Sequence, residues 1–415
     1  MFSQSAHDQE SKPVTQTIQA VAPLLRGLLG TKSGLAIVTS DSSDLVRAQR
    51  ITTDLGDDVC VVEPAYASVT DQVRQAVASH SLTYGHQPRI VILPGKVVFA
   101  AGRDYGKACL ALRQFLETLG ISSPQQVVPD LDQETKTSKK SKQLANKVVV
   151  LAGAAYGFGL GIAKGLAQQG AHVVLADMNI ERARNQVEVL VAKYGFGSAL
   201  AVRLDVADEE SQESAWAQIV ATLGGIDVFI SHAGITRTGS VTDQRISDFD
   251  LVTAVNYKGY FLSVRSIVPM MAAQHEVRPD LLFDIIDINS TFGLEGAKSN
   301  FSYLGSQAGA IGLSRSFALE LISQGIKINT ICPGNDLDGP LWSDPDSGLF
   351  VQYLRAGQVP GASNVAEVRS YFEQKVPMGR GCRPRDVVRA VLYLVEQQYE
   401  TGQTLPVTGG RIMVN

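Results

Sequence analysis

The sequence predicts an α/β protein in which a doubly wound parallel sheet is preceded by a smaller α/β domain. Apolar runs alternate with helical patterns along most of the chain, as strands and helices do in α/β folds. A polar segment with a cluster of lysines interrupts this alternation once, and a glycine-rich turn opens the second series. Because 415 residues exceed one ordinary domain, we expect a small domain over residues 1–120, a polar linker over 121–145 and a larger domain over 146–415.

Composition and charge argue against several classes of function. The chain is 45% hydrophobic and 19% charged, as globular proteins are, and its net charge of −4 does not favour a nucleic-acid or anionic-membrane partner. The N-terminal sequence lacks the apolar core of a secretory signal, and no apolar run is long enough to span a bilayer. The four cysteines form no CxxC motif, and the six histidines lack metal-ligand spacing. We therefore expect a cytoplasmic protein with no metal site, no nucleic-acid partner and no membrane partner.

The smaller domain is predicted from the patterns that precede the polar segment. Four apolar runs are predicted strands: LAIVTS (35–40), VCVVEP (59–64), RIVILPG (89–95) and VVFAAG (97–102). Three segments are predicted helices: DLVRAQRITTDLG (44–56), VTDQVRQAVASH (69–80) and KACLALRQFLETLG (107–120). Strand followed by helix, repeated, indicates a parallel sheet. This part contains no nucleophile elbow, phosphate-binding loop or metal constellation, so we assign it no active site.

A dinucleotide-binding turn is predicted where the alternation restarts. A strand pattern at 147–153 leads into a helical pattern at 160–170, and three glycines form GxxxGxG between them. Glycines allow a tight turn and a close approach to a pyrophosphate, and the following helix offers free N–H groups and the positive end of its dipole. We therefore expect a Rossmann-type sheet. The turn residues expected to contact the cofactor are Gly153, Tyr156, Gly157, Phe158 and Gly159.

The next strand pattern, AHVVLADM, ends in a carboxylate placed to select the cofactor. Asp177 lies eighteen residues after Gly159, where it can accept hydrogen bonds from both adenosine ribose hydroxyls and repel the 2′-phosphate of NADP. We therefore expect NAD as the cofactor, with Met178 also in contact. A second interpretation makes Asp177 the N-cap of the following helix, and it does not exclude the first. Arg182 and Arg184 could neutralise a phosphate, although surface helix charge is the simpler interpretation.

Two later strand ends extend the predicted cofactor site. The segment RLDVADEE places Asp205 and Val206 where the adenine edge would lie. The segment VFISHAG places His232, Ala233 and Gly234 at the next strand end, where close approach of the backbone to a cofactor needs small side chains. His232 could titrate near the cofactor, but a packed histidine is the more frequent outcome. Each segment alone is a weak signal, whereas together, in this order, they indicate a complete dinucleotide site.

Residues 146–415 resemble the short-chain dehydrogenase/reductase family, because seven motifs occur in the order typical of it. They are GxxxGxG at 153–159, HAG at 232–234, VNYKG at 255–259, INS at 288–290, Tyr303, CPG at 332–334 and TGQTLPVTGG at 401–410. Within the family, INSTFGLEGAKSNFSY and KVPMGRGC are most similar to sorbitol-6-phosphate 2-dehydrogenase-like members and to the dehydrogenase part of bifunctional rhamnulose-phosphate aldolase/dehydrogenases. Residues 88–111 resemble the part that follows the aldolase in those fusions, but the aldolase's metal-binding histidines have no counterpart here.

The resemblance implies a catalytic set and a substrate class. Tyr303 would be the general acid/base that exchanges a proton with the substrate oxygen, Ser290 would hydrogen-bond that oxygen, and Asn256 would hold a water in a proton relay. The nicotinamide pocket would be lined by Pro333, Gly334 and Asn335. The substrate would be a small carbonyl/alcohol pair such as a ketose and a polyol, and members of the family are commonly homodimers or homotetramers.

Gln307 departs from the family pattern, in which a lysine follows the tyrosine by four residues. Tyr303 and Gln307 are i and i+4 on a predicted helix, so both side chains face one site. Glutamine can replace the lysine's hydrogen bond to the nicotinamide ribose but not the charge that lowers the pKa of the tyrosine. A unit charge about 4 Å away at an effective dielectric constant of about 20 is worth about 4 kcal/mol, so its loss leaves the phenol close to its usual pKa. We therefore expect activity biased toward carbonyl reduction, with alcohol oxidation favoured at alkaline pH.

The segment between Gly334 and Val376 is predicted to hold two short helices that form a lid over the substrate. Its aromatic residues could wall the pocket or form the lid's own core: Trp342, Phe350 and Tyr353. The basic residues that could bind a substrate phosphate are Arg355, Lys375 and Arg380. At the start of this segment, Asp338 stands where the family often has a threonine that contacts the carboxamide.

Three hypotheses about function remain open. The first is an NAD-dependent dehydrogenase of a ketose or polyol, the second a pseudoenzyme that binds NAD(H), and the third a reductase of 3-oxoacyl thioesters. Because Asn256, Ser290 and Tyr303 are all retained, the first is favoured narrowly over the second. Lys298, in the loop before Tyr303, is a better candidate for a replacement charge than Lys258, which would face away on its helix.

Overall fold

The structure, a computed structural model, describes residues 5–30, 37–42, 56–62, 67–121, 142–295 and 300–413. It contains two β-sheets, one of four strands and one of seven, with helices packed against them. This arrangement confirms the predicted α/β class. The predicted helix at 44–56, except for its last residue, lies outside the described residues, and so do Lys298 and most of the predicted linker.

The smaller sheet is built by the N-terminal elements, which are α1 (Ser5–Leu28), β1 (Ile37–Asp41), β2 (Val59–Val61), α2 (Val69–Tyr84), β3 (Ile90–Leu93), β4 (Val97–Gly102) and α3 (Tyr105–Thr118). The strand order is β1-β4-β3-β2. β4 runs antiparallel to both β1 and β3, and only β2 and β3 are parallel, so the expected parallel sheet is wrong here. Residues 94–96 join β3 to β4 through a tight turn with Gly95 at φ +71°, whereas a parallel connection needs a crossover of about a dozen residues.

Helix α1 was not expected from the sequence, and it fastens the N-terminal part to the rest of the molecule. Its buried side chains, among them Val21 and Leu25, share one core with β1 and with helices of the larger sheet. Gly27 allows α1 to pack closely against the end of α8, because a Cβ at this position would lie 2.1 Å from Cγ2 of Val277. Arg26, fully buried, places Nη2 2.5 Å from Oδ2 of Asp227. The two sheets are therefore joined by a continuous apolar core and a buried ion pair.

The larger sheet follows from residue 148 onward. Its elements, in chain order, are β5 (Val148–Ala152), α4 (Gly157–Gln168), β6 (His172–Asp177), α5 (Ile180–Tyr194), β7 (Ala199–Arg203), α6 (Glu209–Leu223), β8 (Val228–Ser231), α7 (Ile246–Val252), a π-helical segment (Thr253–Lys258), α8 (Gly259–Val277), β9 (Phe283–Ile288), a 3₁₀ turn (Thr291–Gly293), α9 (Phe301–Leu321), a second 3₁₀ turn (Ile322–Gln324), β10 (Ile326–Pro333), α10 (Pro340–Ser343), α11 (Leu349–Arg355), α12 (Val365–Gln374), α13 (Pro384–Glu396) and β11 (Thr404–Val407). The strand order is β11-β10-β9-β8-β5-β6-β7, and every neighbouring pair is parallel.

Helices cover both faces of this sheet, which explains why its strands are nearly continuous apolar runs. On one face Val149 and Leu151 of β5 pack with α4, α5 and α13. On the other face Val148 and Val150 pack with α6, α8 and α9. The chain runs outward from β5 in one direction and from β8 in the other, so the crevice beyond the carboxyl ends of these two strands is the position where such sheets bind ligands. Within the described ranges, no helix has the length and apolar character needed to cross a membrane.

Candidate active site

The glycine-rich turn after β5 is shaped by backbone contacts that only glycine permits. Gly153 has φ +78°, and a Cβ there would lie 2.9 Å from Cα of Ala233. A Cβ on Gly159 would lie 2.2 Å from the carbonyl oxygen of Gly153. Gly157, at φ +56°, begins α4, and its Cβ position has only Pro340 within 4 Å. Packing therefore requires glycine at the first and third positions, whereas the positive φ favours it at the second, where a Cβ would only reach van der Waals contact with Pro340.

His232 lies beneath this turn as a packed histidine. Its Nδ1 is 3.2 Å from the carbonyl oxygen of Gly153. Because a carbonyl only accepts hydrogen bonds, Nδ1 carries the proton and donates it. Burial lowers the pKa of His232, so the ring is neutral at physiological pH. The residue therefore supports the glycine turn, and the packed alternative agrees with the structure.

Asp177 ends β6 with both carboxylate oxygens already engaged at the edge of the turn. Oδ2 accepts a hydrogen bond from the backbone N–H of Ala155 at 2.9 Å, and Oδ1 accepts one from Asn179 at 2.9 Å. The N-cap of α5 is Asn179, whose side chain accepts from the N–H of Arg182, so the N-cap interpretation of Asp177 is wrong. Each oxygen keeps a further lone pair for a ribose hydroxyl.

Exposed side chains flank Asp177 on both sides. Tyr156 and Met178 are 47% and 61% exposed, which leaves their surfaces available to a nucleotide. The guanidinium of Arg182 stacks over the ring of Tyr156, 3.7 Å from its centroid. Arg184 pairs with Glu181 at 2.7 Å. The two arginines are thus accounted for by contacts within the protein.

The remaining strand ends differ in how their predicted residues are used. Asp205 accepts a hydrogen bond from the N–H of Ala207 at 3.0 Å, while Val206 is buried against Gly259. Phe158 packs with its ring centroid 6.1 Å from that of His232. A Cβ on Gly234 would meet nothing closer than 3.5 Å, so protein packing does not require glycine there. Position 234 lies against the side chain of Asn256, so the loop after β8 and the π-helical segment meet there.

The structure brings Tyr303, Gln307 and Ser290 together at the carboxyl ends of the strands. Nε2 of Gln307 donates a hydrogen bond to Oη of Tyr303 at 2.9 Å, one turn along α9. Ser290 follows β9 and caps the 3₁₀ turn, where its Oγ accepts from the N–H of Phe292 at 3.2 Å. Burial raises the pKa of Tyr303, and hydrogen bonds with the side chains of Gln307 and Ser290 oppose that rise without reversing it. Tyr303 is therefore a neutral phenol at physiological pH.

Asn256 lies in the π-helical segment and ties the loop after β8 to the tyrosine helix. Its Oδ1 accepts from the N–H of Ile235 at 2.8 Å, and Nδ2 donates to the carbonyl of Ile235 at 2.9 Å and to Oγ of Ser306 at 3.1 Å. Both amide hydrogens are therefore used. The water-holding role implied by the resemblance would fall to the oxygen atoms of this residue.

The loop after β10 lies beside the same site. The N–H of Gly334, which follows Pro333, donates to the carbonyl of Val407 at 3.0 Å, and the carbonyl of Asn335 accepts from the N–H of Cys382 at 2.9 Å. These bonds fix the loop to the elements that follow the lid. Lys258 is exposed, and it is not among the groups that shift the pKa of Tyr303. In the part of the chain that the structure describes, no group of histidine, cysteine, aspartate or glutamate could hold a metal ion.

The lid contains three short helices, α10, α11 and α12, where two were expected. Its aromatic residues form the lid's own core, in which the ring centroid of Trp342 lies 5.3 Å from that of Phe350 and 4.9 Å from that of Phe372. Asp338 pairs with Arg369 of α12 and Arg383 beside α13. The lid is therefore a small packed unit, and the ion pair between Asp338 and Arg383 joins it to the start of α13.

The three basic residues considered for a substrate phosphate have different surroundings. Arg380 makes two hydrogen bonds to Asp386, at 2.6 and 3.1 Å. Lys375 lies over the ring of Tyr371, 4.1 Å from its centroid. Arg355 is exposed at the end of α11. A phosphate-binding role for any of them stays a prediction.

Asp287 is a site residue that the sequence did not single out. It lies near the end of β9, is 5% exposed, and accepts a hydrogen bond from Nδ2 of Asn289 at 2.9 Å. Burial raises the pKa of its carboxyl to about 7. Two aspartates, Asp284 and Asp287, interrupt the apolar strand pattern FDIIDI and were the available signal, but an acidic residue in a strand pattern does not show where its side chain points.

Comparison with known proteins agrees with this geometry. Residues 147–337 match the family model described as short chain dehydrogenase. The chain is 32% identical over 271 residues to sorbitol-6-phosphate 2-dehydrogenase of Escherichia coli K12, covering 65% of this chain and 99% of that protein. It is 30% identical over 273 residues to galactitol 2-dehydrogenase of Agrobacterium fabrum, covering 65% and 99%.

A crystal structure of sorbitol-6-phosphate 2-dehydrogenase from Erwinia amylovora superimposes with a TM-score of 0.59 at 34% identity, covering 64% of this chain and 100% of that one. These relatives match almost over their full lengths, so the likeness extends over the whole of a dehydrogenase unit. The residues that match the family model include the glycine turn and the cluster at Tyr303. The chain belongs to the short-chain dehydrogenase/reductase family of oxidoreductases.

Proposed function

We propose that the chain is an NAD(H)-dependent oxidoreductase that interconverts a ketone and a secondary alcohol, with a ketose/polyol pair, free or phosphorylated, as substrate. The observation that carries the proposal is the Tyr303 hydroxyl, held by the Gln307 side chain beside Ser290 at the carboxyl edge of the sheet. Family membership supports the reaction class. The names of the two polyol dehydrogenases among its relatives support the substrate class.

The cofactor proposal rests on the fit between the dinucleotide and the residues around the glycine turn. The N-terminus of α4, which begins at Gly157, suits a pyrophosphate, because backbone N–H groups and the helix dipole favour an anion there. Asp177 presents a carboxylate where a ribose would lie, and the same charge disfavours a 2′-phosphate. Bound NAD(H) supplies the hydride that is exchanged with the substrate carbon.

Tyr303 would carry the proton chemistry of the reaction. In the reductive direction its phenol donates a proton to the substrate oxygen as negative charge develops there, while Ser290 donates a hydrogen bond to the same oxygen. In the oxidative direction the phenolate must accept a proton. Because burial keeps the pKa of Tyr303 raised and Gln307 brings no charge, phenolate is scarce at neutral pH. We therefore propose an enzyme that reduces ketones readily and oxidises alcohols only in alkaline solution.

A comparison of the wild type with Gln307→Lys tests this proposal. We expect wild-type protein to bind NADH more tightly than NADPH and to reduce ketose phosphates. Acetoacetyl thioesters are assayed beside them, as the substrates of the alternative hypothesis. The lysine should lower the pKa of Tyr303 and thus move the pH–rate profile of alcohol oxidation toward neutrality. Cofactor fluorescence measures binding, and absorbance of NADH measures turnover. A wild-type oxidation rate that is already level near pH 7, or equal profiles for the two proteins, would contradict the assigned role of Gln307.

We propose that helices α7, α8 and α9 also form an interface between copies of the chain. Several large apolar side chains on these helices and on the π-helical segment between α7 and α8 are exposed, among them Phe249 (43%), Tyr257 (37%), Phe261 (40%) and Leu319 (84%). Exposed apolar patches of this kind commonly mark protein interfaces. We expect light scattering to give the mass of a homodimer or homotetramer, and Leu319→Glu to shift it toward the monomer. A monomeric mass for the wild type would refute this assignment.

A further inference from the structure

We propose that the charge of Asp287, buried beneath the tyrosine helix, controls how readily Tyr303 gives up its proton, in a site where position 307 carries no charge. Asp287 would be a positioning residue that acts through Tyr303 and contacts neither substrate nor cofactor. The inference rests on the proposed role of Tyr303 as acid/base. It assigns to this chain a pH-dependent control of the acidity of Tyr303, provided by its own residues.

Asp287 belongs to a buried polar row that crosses four strands. In register, Ser231 of β8 pairs with Asp287, Asp287 pairs with Thr330 of β10, and Thr330 pairs with Thr404 of β11. Side chains paired in this way point to the same face of a sheet, here the face that carries α8 and α9. The hydroxyl oxygens of Thr330 and Thr404 are buried and have no hydrogen-bond partner among the described residues. Polar side chains thus occupy the sheet directly under the helix of Tyr303.

One side chain connects Asp287 to both catalytic elements. Asn289 uses one amide hydrogen for Asp287, at 2.9 Å, and the other for the carbonyl of Gln307, at 3.0 Å. Its Oδ1 accepts from the N–H of Ser290 at 2.8 Å. The side chain of Asn289 therefore links the carboxyl group of Asp287 to the turn of α9 that holds Gln307 and to the backbone of Ser290.

The ionisable groups that face Asp287 are all acids. They are Tyr260 of α8, Tyr303 of α9 and Cys332 of β10, and the charge of Asp287 raises the pKa of each of them. Among the described residues no lysine or arginine acts on Asp287, whose pKa is raised to about 7 by burial and lowered only by the bond from Asn289. Below that pH the carboxyl is neutral and leaves Tyr303 unaffected. Above it, the anion makes Tyr303 a weaker acid and its phenolate rarer.

Asp287→Asn separates the charge from the shape of the residue. The amide is isosteric, stays uncharged at every pH, and its oxygen still accepts the bond from Asn289. We expect wild-type ketone reduction to decrease as the pH rises through about 7, and the variant to lose that decrease. Thr330→Val is the matched control, because it changes a neighbouring side chain of the same row without changing charge. Its profile should follow the wild type.

Two measurements do not depend on turnover. Ultraviolet titration of phenolate, with Tyr303→Phe subtracted to isolate one tyrosine, should show the Tyr303 step at lower pH in Asp287→Asn than in the wild type. Thermal unfolding should show that the stability of the wild type falls relative to that of Asp287→Asn between pH 3.8 and about 7, because in this range Asp287 is ionised only in the unfolded state. Above about pH 7 the stabilities of the two proteins should change with pH in parallel.

An unchanged Tyr303 titration in Asp287→Asn would overturn the inference. A shifted titration in a protein that reduces no carbonyl would retain the coupling and reject the proposed function instead. Asp287→Ser, which is smaller and also uncharged, replaces the amide variant if that variant does not fold. The same two results, an unchanged or a shifted Tyr303 titration, then decide the inference for the Asp287→Ser variant.

Discussion

Tyr303→Phe is expected to lower the rate of ketone reduction by about 10²–10⁴-fold, the range that a positioned general acid contributes. The phenylalanine retains the ring, which packs edge-on against Phe292 with centroids 6.3 Å apart, so the fold should be preserved. Only the hydroxyl that Gln307 holds at 2.9 Å is removed. Because this hydroxyl is the proposed proton donor, the loss should appear in kcat, while NADH binding changes little.

Tyr393→Phe provides a matched control for this loss. Tyr393 lies on α13, and its hydroxyl donates to Glu400 at 2.6 Å on the exposed surface. The same atom is deleted there without effect on the proposed site, so turnover should equal that of the wild type. If Tyr303→Phe reduced ketones as fast as the control, the acid/base assignment would be wrong. Tight NADH binding with no turnover in the wild type would instead identify a cofactor-binding protein without catalysis.

Arg26→Ala is expected to lower the free energy of unfolding by about 3–5 kcal/mol, the usual cost of breaking a buried ion pair from one side. Arg26 is fully buried, and its partner Asp227 also accepts the N–H of Val148 at 2.6 Å. Removing the guanidinium leaves a carboxylate of the larger sheet buried without its counter-charge. Denaturant unfolding, followed by circular dichroism, would measure the loss as a lower midpoint.

Two further variants show whether the lost charge pairing is the cause. Arg74→Ala removes another ion pair that joins the N-terminal part to α8, at 2.8 Å from Glu276, but that pair is solvent-exposed. Its removal should hardly change the midpoint. Arg26→Met combined with Asp227→Asn leaves no unpaired charge and should recover part of the stability. Equal midpoints for Arg26→Ala and Arg74→Ala would contradict the energetic role given to the buried pair.

The larger sheet could be predicted from the sequence because local patterns determine it. Its strands are apolar runs bounded by turns, and GxxxGxG fixes where β5 gives way to α4. The smaller sheet could not be predicted in the same way. Strand direction there depends on a three-residue turn at 94–96, and a run of apolar residues does not reveal the direction of its pairing. Helix α1 was missed because Pro13 and Pro23 lie within its span, where proline usually indicates a break.

The candidate site shows a similar division between local and long-range information. That Tyr303 and Gln307 share a helix face follows from their spacing, and their hydrogen bond agrees with it. The use of Asn256 as a tether depends on Ile235 and Ser306, which are 21 and 50 residues away in sequence. The burial of Asp287 depends on helices that cross above β9. Such relations appear only once the chain has folded, so no spacing rule could supply them.

The separate aromatic core of the lid gives the molecule an intrinsic fluorescent probe. The chain has two tryptophans, and they lie in separate environments: Trp342 among the lid rings, and Trp216 under the parallel sheet with its indole N–H bonded to Gln212 at 2.9 Å. Trp216→Phe would leave emission from the lid alone. Movement of the lid during a catalytic cycle would then change the tryptophan fluorescence and could be followed in real time without an attached dye.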